Sequence, residues 1–227
     1  MSRPNVKALI QCAMPLEATP FLKQLGEPIR VEKIGNQEFH FFDDYVIAIT
    51  GIGLSNGSAG TARALMLCEP DIVIAAGTTG GLHINIEVGD IAVATNTIYS
   101  MADATAFGYE PGQLPGMPVD YSPEARAVDK LRGLDLGHPA KFGRVVSADS
   151  FVTADNVEPI RARFPDAIAT DMETTGMAQV CFTTNTPWIS LRAVSDLCGP
   201  KAGQDFHMDA SLAASHSCDA VWAFLES

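Results

Sequence analysis

Short apolar runs alternate with amphipathic segments along most of the chain, and this alternation limits the possible folds more than any other feature. Residues 6–12, 45–50 and 71–76 are predicted to be buried β-strands, and helical spacing of apolar residues recurs between such runs. With 227 residues, of which 47% are hydrophobic, the chain is long enough to bury one sizeable core. The sequence therefore predicts one three-layer α/β/α domain over residues 1–227, with a mixed central sheet.

One long segment lacks this alternation. Residues 100–121 contain three prolines, three glycines and the aromatic residues Phe107 and Tyr109, without a regular apolar period. Loops of this length inside a compact domain are usually functional or part of an interface. Their aromatic side chains suggest a pocket wall or a contact with a partner.

Acidic residues lie at the ends of two consecutive predicted strands. Asp171 and Glu173 follow one apolar run, and Asp196 ends the next, which carries Arg192 within it. Ligand sites of open α/β sheets lie at the carboxyl ends of strands. A single acid there is explained as well by a helix cap or a first-turn charge. Two such ends together with a buried arginine favour a functional site.

Two further features follow other predicted strands. Glu17 lies at the start of the first helix, where by itself a charge that complements the helix dipole is the better explanation. Residues 77–81, Gly-Thr-Thr-Gly-Gly, are predicted to be a loop whose N–H groups and hydroxyls could bind a polar ligand. No arginine or lysine lies between residues 72 and 85, although a site for a free phosphate dianion would be expected to supply one.

Charge and cysteine content exclude several classes of function. The formal net charge of -12 makes nucleic acid and anionic membrane surfaces poor partners. The five cysteines include no C-x-x-C pair and the histidines are scattered, so no metal site, disulfide framework or catalytic histidine triad is predicted. There is no signal-peptide pattern and no apolar run long enough to span a bilayer. We expect a cytoplasmic protein that needs no cofactor.

The remaining groups are several acids, one arginine and the aromatic residue Phe151. Hydrolysis of a glycosidic bond needs such a set, because one acid protonates the leaving group and a second carboxylate activates water. Negative charge and contacts to the sugar hydroxyls stabilise a transition state that resembles an oxocarbenium ion. The residues by themselves leave open which glycoside is cleaved.

Several motifs spread over nearly the whole chain resemble those of the methylthioadenosine/S-adenosylhomocysteine nucleosidases, within the wider nucleoside phosphorylase family. The 105–116 stretch is especially similar to this subfamily rather than to the phosphorylases. The motifs are Ala13-Met14-Pro15-Leu16-Glu17, Gly51-Ile52-Gly53, Gly77-Thr78-Thr79-Gly80-Gly81-Leu82, Val88-Gly89-Asp90-Ile91, Thr105-Ala106-Phe107-Gly108-Tyr109-Glu110, Gly112-Gln113-Leu114-Pro115-Gly116, Met172-Glu173 and Arg192-Ala193-Val194-Ser195-Asp196.

This resemblance implies a role for each matching residue. Asp196 matches the general acid that protonates N7 of adenine, and Glu17 matches the carboxylate that activates water, with Arg192 helping to position it. A second set is implied to bind the substrate. It comprises Met172, Glu173 and Thr78 at the ribose, Phe151 and Val152 at adenine, Ile52 and Phe206 at the 5′-alkylthio group, and Phe107 and Pro115 from the second subunit of a homodimer.

The chain departs from the family pattern in three places. Asp171 stands where many relatives have glutamate, so we expect a supporting rather than a catalytic role for it. Residues 100–103 lack the His-Asp pair that is common there, and residues 201–205 follow a course of their own. The departure at residues 201–205 could alter how the site binds the 5′ substituent.

Three alternative functions remain open. A phosphorylase of this family would place arginines near the first strand end and before the glycine-rich segment, where this chain has residues 14–17 and Ala75-Ala76. A carboxylate at Glu17 would repel phosphate, which favours water as the nucleophile. A hydrolase for another nucleoside, such as futalosine, is not excluded by the residues. A nucleoside-binding protein without activity is disfavoured because Glu17, Glu173 and Asp196 are all retained.

Overall fold

The described residues form a nine-stranded mixed sheet with helices on both faces. The computed structural model describes residues 3–199 and 202–227, and over residues 202–209 it describes the backbone alone. In chain order the elements are β1 (Asn5–Cys12), α1 (Pro15–Leu25), β2 (Arg30–Ile34), β3 (Gln37–Phe41), β4 (Tyr45–Ile49), α2 (Leu54–Leu67), β5 (Glu69–Gly81), β6 (Ile91–Tyr99), a 3₁₀ turn (Thr105–Phe107), α3 (Ala125–Arg132), β7 (Ala140–Ser147), α4 (Val157–Arg163), β8 (Ala167–Asp171), α5 (Thr174–Thr184), β9 (Trp188–Asp196) and α6 (Ala202–Leu225).

Strand β1 is buried on both faces, which explains its continuous apolar sequence. Leu9 packs in a cluster with Met177 of α5, and the next residue, Ile10, packs on the opposite face with Phe21 of α1 and Trp222 of α6. Successive side chains of a strand point to opposite faces, so each face of β1 meets a different helical layer. The predicted three-layer α/β architecture with a mixed sheet is confirmed. Within the described residues, no helix combines the length and the apolar character that crossing a bilayer requires.

Five of the strands close into a ring. The sheet order β2-β3-β4-β1-β5-β8-β7-β6-β9 is completed by a second pairing between β9 and β5. Strand β5 runs parallel to β9 but antiparallel to β8, and Gly80 pairs with both Asp196 and Thr170. The ends of β8 and β9 therefore meet around one residue of β5. The acidic strand ends come together through this closure, and not along the edge of an open parallel sheet.

The predicted loop at residues 77–81 was wrong, because these residues belong to strand β5. Their pairing with β9 continues through Thr78 and Thr79, with a register shift before Gly80. Gly77 has a φ of +121°, a conformation that residues with a side chain rarely adopt. A Cβ at Gly77 would also collide with the carboxylate of Glu17. The small residues thus bend the strand and admit an acid beside it, but do not end the strand.

Helix boundaries differ from the sequence prediction mainly at α6. The apolar spacing of the sequence predicts this helix over residues 208–225, but the helix begins at Ala202. Residues 202–207 carry no apolar period, so the sequence does not reveal its first turns. Residue 201 lies outside the described residues, and so do the side chains of the departing segment that follows it. The long segment 100–121 is mostly irregular as predicted, and it ends where Tyr121 pairs with Thr97 of β6.

Candidate active site

A cavity of about 470 Å³ opens where the strand ends of the ring meet. Nine of the twelve residues that the sequence assigned to the site line this cavity. They are Glu17, Arg192, Asp196, Glu173, Met172, Phe151, Val152, Thr78 and Ile52.

The carboxylate of Glu17 is held by four donors at the floor of the cavity. Oε2 accepts from the backbone N–H groups of Ala13 (2.8 Å) and Met14 (3.1 Å), because Glu17 is the third residue of α1 and reaches back over its start. Oε1 accepts from the backbone N–H and the hydroxyl of Thr78, both at 2.8 Å. The Glu17 residue is 1% exposed. The sequence explanation as a helix-capping acid is therefore correct but incomplete, because the same carboxylate also reaches β5.

Arg192 lies between two carboxylates of the same cavity. Its Nη2 is 3.1 Å from Oε2 of Glu173, and its Nε is 3.4 Å from Oδ2 of Asp171. Its Nη1 donates to the carbonyl oxygen of Thr78 at 3.0 Å. Among the described residues, Nε and Nη2 have no partner with hydrogen-bond geometry. Nη2 is thus charged, buried and available to an additional acceptor.

Burial makes Glu173 a weak acid. The residue is 3% exposed, and Oε1 accepts from the backbone N–H of Gly53 at 2.9 Å. Desolvation raises the pKa of Glu173 from 4.5 to about 7, against the opposing effect of Arg192 and with further elevation by Asp171 and Glu17. Glu173 therefore exchanges its proton near neutral pH.

Replacing Glu173 with glutamine is expected to stabilise the fold at alkaline pH. The raised pKa means that folded Glu173 binds a proton more tightly than the unfolded chain does, so this stabilisation is lost as the pH rises through about 7. Glutamine does not titrate, and the variant should gain about 2 kcal/mol over the wild type between pH ~5 and pH ~8. Urea unfolding at both pH values measures this gain. An equal stability difference at the two values would contradict it.

Asp196 ends β9 and lies in a tight polar turn. Its Oδ1 accepts from the backbone N–H of Cys198 at 2.9 Å, and its Oδ2 accepts from the hydroxyl of Ser195 at 3.1 Å. Asp196 is 2% exposed, yet it lines the cavity. The side chain is thus held by donors of the protein and lines the cavity.

The mouth of the cavity has an apolar wall formed by loop residues. Phe151 is 43% exposed and Ile52 is 49% exposed, whereas Val152 is buried beside them. Phe151 and Val152 follow β7, and Ile52 lies in the turn before α2. An exposed aromatic ring at a cavity mouth is suited to stacking on a flat heterocycle.

Two predicted site residues are not brought to this cavity. Phe107 is 82% exposed on the 3₁₀ turn, and Pro115 is exposed in the irregular segment, so neither lines the cavity of its own chain. The side chain of Phe206 lies outside the described residues.

The structure adds lining residues that sequence reasoning did not single out. Cys198 lines the cavity two residues after Asp196, with a φ of +54° that is unusual for a residue other than glycine. Burial and the neighbouring carboxylate raise the pKa of its thiol above the usual value, so it remains neutral. Thr79 and Thr170 also line the cavity. The position of Cys198 two residues after Asp196 could have indicated that it lies in the site. Cysteines usually pack as buried apolar residues, so this position alone did not select it.

No cluster of three or more histidine, cysteine or carboxylate side chains suited to a metal ion occurs in the described part of the chain.

Comparison with known proteins shows the family of this chain. The model of the Phosphorylase superfamily matches residues 7–226, and the chain belongs to that superfamily. A 5'-methylthioadenosine/S-adenosylhomocysteine nucleosidase of Staphylococcus carnosus is 34% identical over 206 residues, 87% of this chain and 90% of that protein. The corresponding nucleosidase of Haemophilus influenzae is 37% identical over 186 residues, 81% of each chain. Within the superfamily, the chain belongs to the methylthioadenosine/S-adenosylhomocysteine nucleosidases.

Two crystal structures support the same assignment. The nucleosidase of Colwellia psychrerythraea in complex with adenine has a TM-score of 0.89 and 29% identity, covering 100% of this chain and 97% of that one. The nucleosidase of Neisseria meningitidis in complex with methylthio-immucillin-A has a TM-score of 0.83 and 32% identity, covering 98% of both chains. The family resemblance seen in the sequence motifs is confirmed.

Proposed function

We propose that this protein hydrolyses the N-glycosidic bond of 5′-methylthioadenosine and S-adenosylhomocysteine. The products are adenine and the corresponding 5-thioribose. Relatives of the same family carry this activity in their names, and one neighbouring structure holds adenine. The reaction serves methionine salvage and the methyl cycle, and it requires no cofactor.

The charge of the cavity floor is the observation that carries this proposal. Glu17, Asp171 and Glu173 lie around a single guanidinium, that of Arg192, and all four residues are at least nine-tenths buried. A phosphate dianion would meet more negative than positive charge here, whereas water carries no charge and a sugar cation is stabilised. The site thus favours hydrolysis over phosphorolysis.

Departure of the base requires a proton and a stabilised sugar. Asp196 donates its proton to N7 of adenine while the bond between C1′ and N9 breaks, and the electron pair of that bond stays with the base. Phe151 stacks on the adenine ring, and the backbone of Val152 contacts its edge. Glu173 accepts from the 2′- and 3′-hydroxyls and faces the positive charge that develops on the ribose, while Met172 packs against the sugar.

Attack by water completes the reaction at C1′. Each oxygen of Glu17 accepts two hydrogen bonds from the protein, and three of these four come from fixed backbone N–H groups. The fourth donor is the hydroxyl of Thr78, which can rotate away and leave Oε1 to a water molecule. Arg192 Nη2 can donate to the oxygen of the same water. Glu17 then takes one water proton as the oxygen bonds to C1′.

Turnover in phosphate-free buffer tests the choice of nucleophile. We expect adenine release from 5′-methylthioadenosine without phosphate, at a rate unchanged when phosphate is added, because water attacks C1′. The free 5-thioribose, and not its 1-phosphate, should accumulate, as measured by mass spectrometry. Strict dependence on phosphate would contradict the proposal.

The preference among related nucleosides is a separate question. A panel of methylthioadenosine, S-adenosylhomocysteine, 5′-deoxyadenosine and futalosine, compared by kcat/KM, resolves it. Ile52, which is proposed to lie at the 5′ group, is an exposed apolar side chain, which supports activity on the first two. Futalosine cleavage faster than that of the adenine nucleosides would favour the alternative hydrolase.

A homodimer is proposed to complete the pocket. Phe107 is largely exposed, and Met101 and Val119 of the same segment are also exposed apolar residues. Exposed apolar side chains concentrated in one segment are typical of an interaction surface. In the dimer, Phe107 and Pro115 would reach the neighbouring cavity. Sedimentation equilibrium should give twice the 24.1 kDa chain mass, and a fully active monomer would refute this arrangement.

A cytoplasmic location is also proposed. All five cysteines are buried and free, as expected for a chain that functions in a reducing compartment.

A further inference from the structure

Asp171 is the acid at the cavity floor to which the proposed mechanism gives no part. Its side chain is 1% exposed, and those of Arg192 and Glu173 are each 3% exposed. With Glu17, the floor holds three carboxylates for one guanidinium, a formal charge of -2 if all are ionised. Such a buried excess of negative charge is costly, so the way in which Arg192 is shared affects every acid in the group.

Asp171 holds the turn that carries Glu173. Its Oδ1 accepts from the hydroxyl of Ser147 at 2.6 Å, from the backbone N–H of Glu173 at 3.2 Å and from that of Thr174 at 3.0 Å. Its Oδ2 accepts from the hydroxyl of Thr174. These contacts fix the start of α5, and with it the position from which the side chain of Glu173 reaches Arg192.

Asp171 also holds the guanidinium itself. Its Oδ2 faces Arg192 Nε at 3.4 Å, while Nη2 faces Glu173 at 3.1 Å and Nη1 donates to the carbonyl oxygen of Thr78 at 3.0 Å. A guanidinium is planar and rigid, so contacts at all three of its nitrogens limit its orientation. The two carboxylates compete for the same positive charge.

We propose that Asp171 is a positioning residue that orients Arg192 and divides its charge with Glu173, and thereby sets the pH at which Glu173 can accept from both ribose hydroxyls. The ribose contact rests on the proposed function, whereas the division of charge does not. The charged groups that face Glu173 are Glu17, Asp171 and Arg192, and the acids raise its pKa while the arginine lowers it. Removing the charge of Asp171 therefore leaves more of Arg192 to Glu173.

The proton affinity of Glu173 can be measured directly in the free enzyme. Carbon-13 NMR of protein labelled at the glutamate carboxyl carbons follows its ionisation, and the signal is assigned by its loss in Glu173→Gln. In the wild type the midpoint should lie at about 7. In Asp171→Asn, which keeps the size of the side chain, the midpoint should fall by about one pH unit.

Three further variants separate charge from shape. Asp171→Glu keeps the charge and should bring the midpoint back towards the wild-type value. Thr174→Val keeps the shape of the threonine but removes its bond to Asp171, which then draws more on Arg192, so the midpoint should rise. Asp129→Asn removes an exposed acid on α3 and should leave the midpoint unchanged. If Asp171→Asn does not fold, the rise of the Glu173 midpoint in Thr174→Val tests the proposal. A midpoint that stays at the wild-type value in every folded variant overturns the proposal.

Activity provides the second readout. The ratio of kcat/KM at pH ~6 to that at pH ~8 should be several-fold higher in Asp171→Asn than in the wild type, since Glu173 stays ionised at lower pH. A purely structural Asp171 would change thermal stability without changing this ratio. If the wild type released no adenine, the proposed function would fail while the NMR midpoints still decided the division of charge. If the wild type is active and the midpoints do not move, this inference fails and the function stands.

Discussion

Asp196→Asn is expected to lower kcat for 5′-methylthioadenosine by about 10²–10⁴-fold, the usual contribution of a general acid. Asparagine is nearly the same size, and its side-chain oxygen can still accept from the backbone N–H of Cys198, as Oδ1 does at 2.9 Å. It has no carboxyl proton to give, so adenine would have to leave as an anion. Release of adenine followed by ultraviolet absorbance measures the loss.

The leaving group offers a sharp control for this variant. In a riboside that carries 4-nitrophenol in place of adenine, the leaving group departs as a phenolate anion and needs no proton. The wild type and Asp196→Asn should therefore cleave this riboside at rates within a few-fold of each other. Asp155→Asn, an exposed acid near the cavity loop, should match the wild type on both substrates. An unchanged rate of adenine release from Asp196→Asn would refute the assigned role.

Glu17→Gln is expected to abolish measurable turnover while substrate binding persists. The variant lacks the carboxylate that takes the proton from water, so attack at C1′ loses its base. It also turns an amide group towards backbone donors, since Glu17 accepts from Ala13, Met14 and Thr78. We therefore expect a lower thermal midpoint as well, because a donor facing a donor leaves buried polar groups unpaired.

Calorimetry separates these two effects for Glu17. Binding of adenine or of 5′-methylthioadenosine to the folded variant should remain measurable, because Glu17 is proposed to contact the water and not the base. Glu27→Gln, at an exposed position just beyond α1, is the matched control and should keep full activity. Complete loss of binding in a folded Glu17→Gln protein would make Glu17 a structural residue.

Local patterns predicted the elements well where one periodicity dominates. The first strand and the carboxyl-terminal strand that carries Arg192 are continuous apolar runs, and the structure places both as expected. The segment at residues 77–81 was misjudged because glycines usually interrupt strands, whereas here pairing with β9 continues through them. The start of α6 was missed because its first residues lack an apolar period.

The candidate site also has a part that the sequence predicts and a part that only the structure reveals. Motif resemblance selected Glu17, Glu173 and Asp196, and the structure brings all three to one cavity. The hydrogen bond from Ser147 to Asp171 joins β7 to β8, so no local pattern could reveal it. The ring closure that brings β8 beside β9 is likewise a long-range pairing, invisible to sequence spacing. Phe107 and Pro115 are proposed to reach the cavity of the second subunit, so the fold of a single chain does not determine their position in a site.

The closed ring of strands separates two demands on this enzyme. Thr78, Arg192 and Asp196 lie within strands of the ring, so their spacing cannot change unless inter-strand hydrogen bonds break. Ile52 and Phe151 lie on exposed connections outside the ring and form the wall of the same cavity. Substitution of Ile52 is therefore expected to alter the accepted 5′ group while the spacing of the strand residues is preserved. Evolution can therefore change which nucleosides are accepted at the mouth of the cavity while the residues of its floor are kept.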